Sequence, residues 1–232
     1  DASLFRFKII DEPSAAALGY EAELNPDDIY LVFDFGGGTL DVAIVKMEGD
    51  LKDAGKFCHV LGKAGLDLGG TRIDEWLFQE IFERQGKELS EDDWNIVSRR
   101  LLTECETLKE RLSFEEIAEV SVFNPFTGGI LAASFTRTDF ETLLDKHDAF
   151  SKIDKTIRRA LKIAEQKGFT EEDIKSVLMV GGCSNIPAIQ KMLKRIFGNE
   201  KVKLTRPMDA VARGAARYAA GMAFKDYIQH DY

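Results

Sequence analysis

The chain has 232 residues, 44% hydrophobic and 31% charged, with a formal net charge of −9. That balance reads as a globular protein with one large core or two small ones. The acidic surplus argues against nonspecific nucleic-acid binding, which needs a basic surface to displace counterions, but not against a single phosphorylated ligand, because backbone amides and a metal ion can supply the positive field.

Residues 4–10 read as a strand, and 13–20 as a short Ala-rich helix with Pro13 in its first turn. After the loop Asn25-Pro26-Asp27-Asp28, the apolar run 29–33 leads into Asp34, three glycines, Thr39, Asp41 and a second apolar run; with a third strand at 56–61, residues 29–61 form a meander. Residues 65–70 are a second glycine-rich break. Ile73, Trp76, Leu77 and Ile81 share one helix face, and Val97, Leu101, Cys105, Leu108 and Leu112 share another. Strands at 119–124 and 130–136 flank a turn at 125–129. A helical stretch follows over 138–167, broken near 147–151, with Ile153, Ile157, Ala160, Leu161 and Ala164 on its buried face. The remainder alternates: strand 176–180, helix 186–197, short strand 201–204, helix 210–224. Such alternation implies a layered α/β sheet.

No apolar run approaches the length needed to span a bilayer, and Asp1-Ala2-Ser3 leads into a strand-like segment rather than a signal peptide. Cys58, Cys105 and Cys183 are odd in number and far apart, so reduced thiols and a cytoplasmic setting are expected. Neither they nor His59, His147 and His230 have metal-ligand spacing, and no zinc site is expected.

Three segments carry chemistry. Gly36, Gly37 and Gly38 let a ligand approach bare backbone, and successive N–H groups in such a turn form an anion site. Asp34 and Asp41 beside it suit Mg²⁺ held through its waters. A tight turn with capping aspartates is the alternative, and the segment is no ordinary P-loop, because no Lys-Ser or Lys-Thr follows and the next element is a strand. Val177 to Val180, then Gly181, Gly182, Cys183, Ser184, Asn185, Ile186 and Pro187, form a buried strand ending in glycines, with Ser or Asn expected to cap the next helix; ligands of open α/β sheets bind at such ends, although a plain turn reads the same way. Glu106, Lys109, Glu110 and Ser113 lie on one helix face, which spacing alone assigns to solvent.

With Ile9-Ile10-Asp11-Glu12-Pro13-Ser14-Ala15-Ala16-Ala17, Leu68-Gly69-Gly70 and Pro207-Met208-Asp209-Ala210-Val211-Ala212-Arg213-Gly214-Ala215-Ala216, these segments occur in the order seen in the seventy-kilodalton heat-shock (DnaK-type) chaperones. The resemblance covers nearly the whole chain. It implies an actin-like ATPase (ribonuclease H-like) α/β fold: a layered mixed β-sheet with helices, plus an inserted α+β subdomain. Residues 1–25 are then a remnant of a first lobe, 26–68 and 146–232 the base of a second lobe, and 69–145 the inserted upper subdomain. The implied ligands are ATP or ADP with Mg²⁺. Asp34 resembles the carboxylate that orients magnesium-bound water, Asp41 a second carboxylate near the metal shell, Thr39 the threonine near the γ-phosphate, Glu12 the glutamate near the attacking water and Pro13 the coupling proline. Gly36, Gly37, Gly38 and Gly70 resemble the phosphate cradle. Glu106, Lys109 and Ser113 resemble ribose and adenine contacts, which moves that stripe from solvent to site, and Gly181, Gly182, Cys183 and Asn185 resemble the adenosine loop.

Some positions depart from the family. Asn185 and Glu110 stand where arginines flank the adenine in other members, removing two guanidinium planes that stack on a base. Met208 replaces an aspartate, and the loop before Gly70 is one residue short. The family's first phosphate loop, catalytic lysine and peptide-binding domain have no counterpart in the sequence. The chain therefore reads as a fragment of a divergent ATP-driven chaperone, inactive alone, whose partners are the nucleotide, the missing N-terminal lobe, the peptide-binding domain, an exchange factor and a co-chaperone, with no nucleic acid or membrane. The alternatives are a non-catalytic partner-binding module, or an actin-like or sugar-kinase-like ATPase.

Overall fold

The computed structural model describes residues 9–20, 25, 27–48, 57–85, 91–125, 128–205 and 207–220. Strands β1 (Ile29–Phe35), β2 (Leu40–Glu48) and β3 (Phe57–Leu66) form the expected antiparallel meander. Strands β6 (Ile174–Val180) and β7 (Val202–Lys203) add to it in parallel, giving the order β3-β2-β1-β6-β7. Parallel pairing of β1 and β6 needs a long crossover, and the intervening chain holds helices α2 (Gly70–Gln85), α3 (Glu91–Phe114), α4 (Arg137–Lys146) and α5 (Ala149–Glu165). It also holds a separate antiparallel pair, β4 (Ile117–Phe123) and β5 (Ile130–Thr136).

The sheet is buried on both faces, and β1 shows how. Ile29, Leu31, Phe33 and Phe35 point into a core shared with α5 (Ile153, Ile157, Leu161) and with α6 (Pro187–Phe197). Tyr30 and Val32 point the other way, into a core made by α1 (Glu12–Gly19) and α7 (Ala210–Ala219). A strand buried on both sides reads as a continuous apolar run, and the two-residue alternation splits it between the layers. The same parity places Asp34 and Asp41 on the α1 face.

Helix α1 is held by more than apolar contact. Asp11 caps it by accepting from Ser14 N at 3.0 Å and from Ser14 Oγ at 2.7 Å. The buried Tyr20 hydroxyl donates to Met179 O at 2.7 Å, and Arg217 Nη1 of α7 donates to Leu18 O at 2.8 Å. Helices α1 and α7 meet backbone to backbone: a Cβ at Gly214 would lie 1.7 Å from Ala15 O, and one at Gly19 would lie 2.0 Å from Ala210 O.

Several elements differ from expectation. Strand β3 runs on to Leu66, so Gly65 is in the strand and Gly70 already opens α2; only 67–69 form the break. The register shifts between Ile44 and Val45 of β2, a bulge that puts both Leu61 and Gly62 on the α5 side and breaks the alternation that a strand assignment needs. The helical stretch does break, at 147–148, where Asp148 takes a left-handed φ of 57°. Neither Ser184 nor Asn185 caps α6. A short 3-10 turn (Gly182–Asn185) intervenes, Ile186 takes the cap position, and Ser184 Oγ donates back to Val180 O at 2.5 Å. Residues 9 and 10 are not in a strand, and the rest of the expected first strand and the end of the last helix lie outside the described residues.

The α1–α7 contact leaves no room for a methyl group. Gly214→Ala is expected to destabilise the chain by about 2–4 kcal/mol in urea unfolding, whereas Gly168→Ala, at an open turn with φ 88°, is expected to cost only about 1 kcal/mol.

Candidate functional site

Three glycine segments meet where β1 and β6 end. Gly36 N donates to Thr39 O at 3.0 Å and closes the β1–β2 hairpin. A Cβ at Gly37 or Gly38 would meet nothing within 4 Å, and among the described residues their N–H groups have no hydrogen-bond partner. The carbonyls of Gly36 and Gly37 face α2, accepting from Gly70 N at 3.0 Å and Thr71 N at 2.8 Å. They thereby satisfy two of the N–H groups that a helix start leaves unpaired. From the turn after β6, Cys183 Sγ donates to Gly36 O at 3.3 Å. Burial pushes this thiol up to about 11, so it stays protonated and serves as a donor rather than a nucleophile.

A cavity of about 370 Å³ opens between these glycines and α3, within the size range of small-molecule sites, roughly 300–1,000 Å³. Gly36, Gly37, Gly70, Glu106, Lys109, Ser113, Gly182, Cys183 and Asn185 all line it. The polar stripe of α3 therefore faces the cavity and not bulk solvent alone. Gly38 and Thr39 sit on the exposed hairpin tip. Gly181 lies behind the lining: its φ is 84°, and a Cβ there would lie 2.4 Å from Phe35 O.

Lys109 is buried beside Asp74 of α2. Its Nζ donates to Asp74 Oδ2 at 2.8 Å and lies 2.8 Å from Oδ1 as well, which is left with no hydrogen bond of its own. Burial raises the Asp74 carboxyl, and Lys109 opposes the rise. A buried pair of this kind costs desolvation and fixes geometry, and here it holds an ammonium group at the cavity wall.

The carboxylates form a second, smaller hollow at the foot of the hairpin, lined by Glu12, Pro13, Asp34, Asp41 and Lys63. Asp34 and Asp41 are register partners across β1 and β2. Thr39 Oγ1 donates to Asp41 Oδ2 at 3.1 Å. Burial raises the Asp34 carboxyl to about 6; the charges of Glu12 and Asp41 add to the rise and Lys63 opposes it. Two carboxylates opposed across the sheet beside Glu12 form a donor set that suits a cation held through its waters. The unpartnered Gly37 and Gly38 amides suit an anion next to it.

Sequence reasoning missed Phe114, Asp74 and Lys63, and it gave Ile186 no role of its own within the 177–187 segment. Phe114 and Ile186 line the cavity with Met208, and Phe114 and Met208 are 75% and 76% exposed. A large apolar residue following a polar stripe at a helix end was the available signal for Phe114.

A family model described as Hsp70 protein matches residues 2–225 of the chain. The chain is 32% identical over 242 residues to "Chaperone protein DnaK" of Trichormus variabilis, an alignment covering 99% of this chain and 33% of that protein. It thus spans about a third of the length of that curated relative.

The raised Asp34 carboxyl has a consequence for stability. Its folded pKa lies above the unfolded value, so folding favours the neutral acid; ionised Asp34 weakens the fold above about pH 6, and the penalty fades as pH falls. Asp34→Asn, which mimics the neutral acid, is expected to be more stable than the wild type by about 1–3 kcal/mol at about pH 7.5, with the gain shrinking toward zero near about pH 4. Urea unfolding across that range measures it.

Proposed function

This chain belongs to the Hsp70 family, with the mixed α/β architecture of an actin-like ATPase lobe, and we propose that it is the nucleotide-binding lobe of an ATP-driven, DnaK-type chaperone. In that reading the whole protein binds and hydrolyses Mg-ATP to drive peptide binding and release, in the cytoplasm, together with a second lobe, a peptide-binding domain, an exchange factor and a co-chaperone. The observation that carries the reading is the convergence of the glycine hairpin, the α3 stripe and the β6 glycine turn on one 370 Å³ cavity.

In this reading the roles are those the family resemblance implies. Glu106, Lys109 and Ser113 on α3 and Gly182, Cys183 and Asn185 after β6 take the nucleoside, with Gly181 shaping the turn. Gly36 to Gly38, with Gly70, present backbone to the phosphates. Asp34 and Asp41 would hold a magnesium ion through its waters, and the ion would neutralise phosphate charge. Thr39 stands at the γ-phosphate end and Glu12 beside the water that attacks it. Phosphoryl transfer depends on charge stabilisation and positioning from all sides of the phosphate, and the described residues form one wall. The chain alone is therefore expected to turn over ATP negligibly. Among the described residues no helix is long and apolar enough to cross a membrane.

One observation favours an additional partner-binding role. Phe123 and Ile130 are direct cross-strand partners on β4 and β5, and both are more than half exposed. A protein partner that covers this face would bury them.

Gly37→Val tests the nucleotide reading, because a Cβ there meets no protein atom within 4 Å and Gly37 lines the cavity. Binding of a fluorescent ADP analogue is expected to weaken at least about tenfold while the unfolding midpoint moves little. Unchanged affinity, or ATP turnover by the purified chain matching a complete ATPase, would count against the reading.

A further inference from the structure

Lys63 stands among the carboxylates at the foot of the glycine hairpin. Asp34 and Asp41 are directly opposed across β1 and β2 on the face covered by α1, and Glu12 adds a third carboxylate to the same hollow. Like charges directly opposed on one sheet face repel, so the cluster calls for a cation. The next strand places no side chain opposite Asp41, because its register partner there is Gly65. Two residues before Gly65, on the same face, Lys63 brings its Nζ to 3.5 Å from Asp41 Oδ1. The two side chains are 52% and 32% exposed, so the pair adds little to stability. Its significance is its place: an ammonium tethered beside the oxygens that a dissolved cation would use.

We infer that Lys63 is a built-in counter-ion for the Asp34–Asp41 pair that competes with divalent metal, so that this lobe takes up divalent cations weakly and binds nucleotide with little dependence on magnesium. The metal part stands on the carboxylates and Lys63; the nucleotide part rests on the function proposed above. A metal held through its waters gains only long-range Coulomb attraction from the carboxylates, and a unit positive charge in the same hollow offsets much of that gain. Because the ammonium is intramolecular, it competes at an effective concentration that dilution does not lower. Lysine adapts to the task, since its compact charge on a flexible stem stays hydrated while it reaches the oxygens.

Mn²⁺ alone is the probe, titrated into the purified chain without nucleotide and followed by the paramagnetic resonance signal of the free ion. Lys63→Met and Lys63→Gln both keep a long side chain at a half-exposed strand position, so two independent variants carry the test. Each is expected to bind Mn²⁺ at least about tenfold tighter than the wild type, and adding Asp41→Asn is expected to abolish the gain. Isotherms that superimpose on the wild type overturn the inference, as does a gain that survives Asp41→Asn. Absence of Mn²⁺ binding in all variants also overturns it, because carboxylates freed of their counter-ion would then hold no divalent ion. ADP titrated in EDTA and in Mg²⁺ separates the two parts: the affinity ratio is expected to stay below about threefold in the wild type and to rise at least about tenfold in Lys63→Met. A chain that gives the Mn²⁺ result but binds no ADP in either medium supports the counter-ion and removes the nucleotide reading.

Discussion

A Cβ at Gly69 would lie 2.4 Å from the Gly38 carbonyl carbon, and one at Gly181 would lie 2.4 Å from the Phe35 oxygen. Backbone packed on backbone at these two points draws the ends of β1 and β6 and the start of α2 together. Much else follows from that approach. The Gly36 and Gly37 carbonyls reach α2 only because no side chain intervenes, and pairing them there leaves the Gly37 and Gly38 N–H groups without a partner among the described residues. The same closeness brings Cys183 to Gly36 and sets Gly70 beneath the Lys109 ammonium, where a Cβ would lie 2.8 Å from Nζ. A methyl group at either contact would lever the hairpin away from the α3 wall of the cavity.

Much of this was legible in the sequence because the physics is local. The apolar β1 strand, the α2 and α3 apolar faces and the β4–β5 hairpin follow from local pattern, and the structure has them close to where that pattern puts them, although the division of β1 between two cores was not foreseen. The parts that were not legible depend on contacts between distant segments. The β3 bulge has no signature of its own, since Leu61 and Gly62 read as the end of a strand until β2 is laid beside them. Asp74 is one carboxylate next to Ile73 on an amphipathic helix, and nothing local says that Lys109, 35 residues on, neutralises it. The Asn or Ser expected to cap α6 is a local rule overridden by the 3-10 turn. The candidate site residues were named by family resemblance, but their division between a cavity and a separate carboxylate hollow was not legible.

The electrostatics explain how a chain of net charge −9 can present a site for an anion. Glu12, Asp34 and Asp41 are gathered on the α1 face of the sheet, whereas the cavity side offers the Gly37 backbone and the Lys109 ammonium, with Glu106 and Glu110 beside them. Burial strengthens the Lys109 charge, because a low local dielectric magnifies short-range fields. Asp74 tempers the effect, leaving Lys109 positioned more than unopposed. Ionised Asp34 is costly in the free chain, and that cost is the driving force for any cation, tethered or dissolved, to enter the hollow.

The nucleoside end follows different physics. Asn185 and Glu110 bring no guanidinium plane to the cavity, yet the same mouth carries the Phe114 ring and the Met208 thioether, both largely exposed. Exposed apolar groups at a cavity rim cost the free protein nothing in polar satisfaction and gain when a flat ring covers them. An aromatic face stacks on a base, and a thioether packs against it as a polarizable, adaptable surface. In the proposed reading the base is therefore held by burial and dispersion rather than by cation–π contact, with Glu110 as an acceptor at the wall. Such a wall discriminates weakly between purines by shape, so selectivity among bases rests on which donor meets the Glu110 carboxylate.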